Sequence, residues 1–234
     1  LRMLESTREF VATKDDGSDL DAWRRRHREW FADLVWTLGP TLRAAAARDT
    51  MAVFDALAAD IDAAMDSAVA AGDRAYALML AAGLAQYWHL RGRFQEGRDR
   101  IDAALALEGA VDDERAARAL PVAELELANL AYQLGDPQAG FVAIAGAEAH
   151  GRAVGDTATT AVALARAGFG QSLFGDLDTA RALVGAASET ASAGEVWARS
   201  EVRMCEGQML RHVGEPEAAI ASLVASHELA MSVG

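Results

Sequence analysis

The chain has 234 residues, a net charge of −13, one cysteine and 52% hydrophobic residues, of which few are aromatic. A single cysteine excludes an internal disulfide and fits a reducing compartment such as the cytoplasm, and no stretch approaches the roughly eighteen unbroken apolar residues of a membrane span. Residues 1–50 hold nine basic and nine acidic side chains, so the acidic excess belongs to 51–234, a surface that repels phosphate backbones and argues against nucleic acid as a partner of that part.

The first twelve residues form a short amphipathic run with Leu4, Thr7, Val11 and partly Phe10 on one face, and Lys14 to Ser18 is a polar turn. Ser18 followed by Asp21 fits a capping box, opening a helix to about Leu38. Its expected apolar face is Trp23, Trp30, Phe31, Leu34 and Leu38, and Gly39-Pro40 stops it. A second helix starts near Thr50, carries Val53, Phe54, Leu57, Ile61 and Met65, and ends at Gly72. Helix hairpins then follow: 73–91 with 93–107, 112–134 with 137–153, 156–174 with 176–193, and 195–213 with 216–232. Pro137 and Pro216 fall at first-turn positions, where the missing N–H costs nothing. Pro121 lies inside its run, which predicts a break or a kink.

The turns recur. Gly92, Gly135, Gly175 and Gly214 are spaced by 43, 40 and 39 residues, and an offset series comprises Gly72, Gly155, Gly194 and Gly234. Each glycine suits the left-handed position that ends a helix, and the acid after it suits the start of the next. The expected fold is all-α, with antiparallel helix hairpins stacked as a tetratricopeptide-like right-handed solenoid over 49–234 and a helical connecting segment over 1–48. First helices carry small residues for close approach (Ala161, Ala165, Gly168, Ser172), and second helices carry larger anchors such as Leu183, Val184, Ile220, Leu223 and Val224. Leu223, Val224 and Leu229 of the last helix have no following repeat to cover them, which predicts self-association through that end. The chain begins at Leu1 and stops at a turn glycine, and both ends read as cut from a longer protein.

Local motifs are weak signals of chemistry. Trp23-Arg-Arg-Arg-His-Arg-Glu-Trp30 reads either as a solvated helix face or as a contact for an acidic domain or nucleic acid. Gly168-Phe-Gly170 lies in a helical run rather than after a strand, and the only lysine, Lys14, follows no glycine loop, so no phosphate-binding loop is present. His27, His89, His150, His212 and His227 show no metal spacing, and Cys205 reads as a buried thiol. No catalytic, cofactor or metal site is assigned. The cluster Tyr87-Trp-His-Leu-Arg91-Gly-Arg93-Phe94 has two readings. It is an end cap filled by Trp88 and Phe94, or an interaction surface built from Tyr87, Trp88, Arg91 and Arg93.

The segments Leu1–Phe10 and Trp23–Phe31 resemble the stretch leaving the winged-helix part of bacterial STAND-class ATPase regulators. Phe54–Met65 resembles the helix that follows in that family, although Asp62 stands where the family usually has Asn. Tyr87–Arg98 and Ala103–Leu107 are similar to its first repeat. The resemblance covers about residues 1–110, and later repeats match only generically. It implies a longer chain in which an ATPase core and winged helix precede this region. Its repeats would then act as a sensor arm, binding a small inducer or a partner protein on the concave face. LuxR-type, antibiotic-regulator-type and nucleotide-cyclase members differ in their further domains. The rival reading is a stand-alone scaffold for protein assembly.

Overall fold

The turns carry the architecture, because six of them are built alike. Gly72, Gly92, Gly135, Gly155, Gly175 and Gly214 have φ between 65° and 88°. The next residue donates its N–H five positions back: Asp73 to the Ala68 carbonyl at 2.9 Å, Arg93 to Trp88 at 2.8 Å and Asp136 to Ala131 at 2.9 Å, and the other three do likewise. This is the Schellman arrangement, which satisfies the last carbonyls of one helix while turning the chain into the next. At Gly194 the N–H bonds the Ala191 carbonyl at 2.9 Å. Gly234 lies outside the described residues.

The structure is a computed structural model that describes residues 18–109, 111, 113–191 and 194–232. Among these it has ten α-helices, a 3-10 turn and no strands. The helices are α1 (Ser18–Leu38), α2 (Ala47–Ala70), α3 (Arg74–Leu90), α4 (Phe94–Leu105), α5 (Glu114–Gln133), α6 (Pro137–Ala153), α7 (Thr157–Leu173), α8 (Leu177–Ala191), α9 (Val196–His212) and α10 (Pro216–Met231), with the 3-10 turn Gly39–Arg43 between α1 and α2. The amphipathic run expected over residues 1–12 and the polar turn after it lie outside the described residues, as does the Ser18 side chain expected to cap α1.

Helices pack in neighbouring pairs, and each pair also touches the next. α1 lies on α3, α3 on α5 and α7 on α9, while α4, α6 and α8 each contact the odd-numbered helix that follows. The core runs along this series as four successive clusters. Ala161 and Ala165 are fully buried in it, and a Cβ on Gly168 would stand 2.9 Å from the Ala180 carbonyl oxygen, so α7 and α8 approach as the small residues predict. The tightest approach is at α3. A Cβ on Gly83 would stand 2.6 Å from the Val35 carbonyl oxygen, and one on Gly39 would stand 2.5 Å from that of Gly83. Arginines then stitch neighbouring hairpins: Arg98 to Asp136 at 2.9 Å, Arg166 to Glu201 at 3.0 Å and Arg181 to Glu215 at 2.7 Å, with Arg91 pairing to Asp55 and Arg100 to Asp66.

Aspartates cap where expected, with exceptions. Asp136, Asp156 and Asp176 accept from the N–H three residues on at 3.0 to 3.1 Å. Asp73 turns its carboxylate to Arg28 instead, and Glu195 and Glu215 bond the Trp197 indole and Arg181.

Two expectations need correction. Of the break or kink expected at Pro121, the break does not occur: α5 continues through the proline, which is buried at its eighth residue. The apolar face expected of α1 holds for Phe31, which is buried, and for Leu34 and Leu38, which pack against the core, but not for Trp23 and Trp30, which are 65% and 55% exposed. The buried stripe is Arg28, Phe31, Ala32 and Val35. Trp30 stands two residues from both Arg28 and Ala32, about 200° around the helix, and so points away. Arg28 buries its stem and donates to Ser67 Oγ at 3.1 Å and Asp73 Oδ2 at 3.5 Å. Of the other arginines in that cluster, Arg24 pairs with Asp21 at 3.2 Å and Arg26 lies over the Trp23 ring. The last helix is bare on one side: Ile220, Leu223, Val224 and Met231 are exposed, while Leu229 is half-buried.

Candidate functional site

The same register of successive odd-numbered helices converges on one groove. Residues three, four and seven apart share a helix face, and the groove takes Gln86 and His89 from α3, and Glu126, Asn129 and Tyr132 from α5. From α7 come Arg166, Phe169, Gly170 and Leu173, and from α9 Trp197, Ser200, Glu201, Met204 and Gln208. Phe141 of α6, Arg43 of the 3-10 turn, Phe174 after α7 and Ala230 of α10 also line it. The cavity has a volume of about 680 Å³, and Arg43, Gln86, Glu126 and Trp197 also wall a smaller one of about 190 Å³ beside it.

The groove opens where α5 and α7 make little direct contact. A charged side chain fills the gap. Arg166 reaches from α7 to the Leu125 carbonyl oxygen at 3.2 Å and to Glu201 of α9 at 3.0 Å. Glu126, 3% exposed, accepts from Asn129 at 2.9 Å and forms an ion pair with Arg43, whose guanidinium also lies 4.9 Å from the Trp197 ring centre. Arg43 of the 3-10 turn thus touches both α5 and α9.

Burial alone would push the Glu126 carboxyl up, but the Arg43 and Arg166 charges outweigh it and hold it below the ordinary glutamate range. Burial would likewise lower the Arg166 pKa, and Glu201 and Glu126 outweigh it, so the guanidinium stays charged. Cys205 lies beneath the same wall, and burial pushes its thiol up to about 12. The floor is therefore two fixed ion pairs with a neutral thiol beside them.

The walls are aromatic. Phe141 meets Tyr132 edge-on at 6.1 Å and Phe174 at 5.5 Å. Gly170 makes room for this stack, since a Cβ there would stand 2.5 Å from the Phe141 ring. Phe174 itself is 73% exposed at the rim. His89 contributes an Nδ1 that is buried with no hydrogen-bond partner among the described residues.

The residues singled out as an interaction surface lie elsewhere. Tyr87 and Trp88 are buried in the first core cluster. The Tyr87 hydroxyl bonds Asp55 at 2.8 Å, the same carboxylate that pairs with Arg91, and Arg93 bonds Glu96 through Nε at 2.6 Å. Only the two arginines of that cluster present charge outward, and both are paired. His150, far from Glu148 in helical register, meets Glu124 of the preceding helix at 2.8 Å. Among the described residues no three His, Cys, Asp or Glu side chains are grouped to hold a metal ion, and no helix is long and apolar enough to cross a membrane. No protein-family model, curated protein or solved structure matches the chain.

Sequence reasoning did not find Glu126 and Arg166, yet a signal was there. Arg166 is the one charge in 157–175, flanked by Ala165 and Ala167, and Glu126 sits between Leu125 and Leu127 two residues after Glu124. A charge at such a position must find a buried partner or move the helix face.

Proposed function

We propose that the chain is a tetratricopeptide-like sensor and interaction region of a bacterial STAND-class transcriptional regulator. Its hairpins stack as a right-handed solenoid, and its groove binds an inducer or partner protein. One observation carries this reading. Equivalent positions of successive odd-numbered helices line a single groove with an aromatic wall and a floor of paired charges. Binding there alters how the hairpins sit on one another, because Arg43 and Arg166 each tie separate hairpins across the site, and this shifts the population of resting and active arrangements of the whole regulator. The role is non-catalytic: the groove thiol is held protonated, and each acid on its floor is committed to an arginine. A thermal-shift screen of small molecules and peptides against the protein and its Met204→Trp variant tests it. Stabilising compounds that lose their effect in the variant support the reading, and an absence of such compounds, or hits indifferent to the variant, refutes it.

The exposed Ile220, Leu223, Val224 and Met231 of α10 favour a second reading, a scaffold that assembles through this end. Sedimentation over a concentration series then shows self-association that Val224→Asp abolishes. A monomer at every concentration removes this reading.

A further inference from the structure

We propose that the groove selects an uncharged aromatic small molecule and rejects anions. This rests on the reading of the groove as a ligand site and adds the chemistry of what enters it. Four charged side chains reach the groove, and each already has its counter-charge: Arg43 with Glu126, and Arg166 with Glu201 at 3.0 Å. A carboxylate, sulfonate or ammonium entering would be stripped of water without a free opposite charge, or would have to break a buried pair. An uncharged ligand meets neither cost.

The remaining lining says what such a ligand looks like. Tyr132, Phe141, Phe169, Phe174 and Trp197 are five of the chain's fifteen aromatic side chains, gathered at one place in an aromatic-poor chain. Phe174, 73% exposed, joins the exposed Leu173 and the Tyr132 and Phe141 rings in a contiguous apolar rim at the mouth of the groove. The half-buried side-chain amides of Gln86 and Gln208 make no hydrogen bond among the described residues, so each offers a neutral donor and acceptor. A cavity of about 680 Å³ matches a ligand of two or three fused or linked rings.

The test uses a matched pair of fluorescent probes. N-phenyl-1-naphthylamine is uncharged, and 8-anilinonaphthalene-1-sulfonate is the same arylamine carrying a sulfonate. The uncharged probe binds about tenfold tighter than the sulfonate, and Phe174→Ala weakens it about fivefold with the helical circular-dichroism signal unchanged. Val224→Asp, which alters the other exposed apolar face, leaves it unchanged. Glu201→Gln frees Arg166 from its direct partner and raises sulfonate affinity about fivefold relative to that of the uncharged probe in the same variant. Equal or tighter binding of the sulfonate by the unaltered protein, still weakened by Phe174→Ala, overturns the uncharged class but keeps the groove. Binding of neither probe, or binding indifferent to Phe174→Ala, overturns the groove itself as a ligand site.

Discussion

The pair Arg43 and Glu126 spans 83 residues and joins the 3-10 turn to α5, so its removal tests the long-range arrangement directly. Glu126 is 3% exposed, and the Arg43 side chain 24%. A fully buried pair broken on one side costs about 3–5 kcal/mol, and an exposed one about 0–1 kcal/mol. Arg43 can swing to water, and Arg166 keeps Glu201 as a partner, so Glu126→Gln should destabilise by about 2 kcal/mol. In a domain of this size that lowers the melting temperature by about 4–8 °C. The decisive quantity is the coupling in a cycle of Arg43→Met, Glu126→Gln and the double variant, measured by urea unfolding with the same probe throughout. The expected coupling is about 1–2 kcal/mol. Single effects that add to within about 0.3 kcal/mol would refute the contact, and with it the clasp across the groove.

Gly83→Ala should cost about 3 kcal/mol, because the new methyl meets the Val35 backbone, which cannot yield as a side-chain tip would; unchanged urea stability counts against this packing. Cys205, with its thiol raised to about 12, should react with a disulfide reagent about three orders of magnitude more slowly in the folded protein than in urea, and comparable rates would place the thiol elsewhere. Glu126 is held below its ordinary range, so its stabilising effect is present above that range and disappears as pH falls through the depressed value. The stability gap between the protein and Glu126→Gln should therefore be full at neutral pH and shrink below about pH 4; a gap independent of pH refutes it.

Turn and helix positions were legible because their causes are local. A glycine at the left-handed position and the residue after it fix a Schellman turn within six residues, whatever lies beyond. The two tryptophans of α1 depart from the face shared by Phe31, Leu34 and Leu38 for a reason of the same scale. Trp23 and Trp30 dominated the periodicity by size, while Arg28, with a long apolar stem, occupied the buried stripe. The groove was less legible. Arg166 stands out as an isolated charge and Glu126 as one set between leucines, but their partners Glu201 and Arg43 lie 35 and 83 residues away, and no spacing rule links them. Tyr87 and Trp88 show the converse limit. Density of aromatic and cationic residues was visible in the sequence, but a Cβ on Gly97 would stand 3.0 Å from Trp88, so the cluster closes on α4 instead of facing a partner.

The net charge of −13 offers a rival explanation for any rejection of anions, and salt separates the two. The outer field decays over about 8 Å at physiological ionic strength and about 3 Å at 1 M. Charges on the far side of a helix about 10 Å thick are then nearly silent at the groove. The lining acts differently, because Glu126 and Glu201 are committed to arginines inside a region where screening is weak. If the lining sets selectivity, the preference for the uncharged probe over its sulfonate should persist at about 1 M sodium chloride. If the acidic exterior sets it, the preference should collapse as the field is screened. Persistence together with the gain of sulfonate affinity in Glu201→Gln locates the selection in two ion pairs, and collapse moves it to the surface.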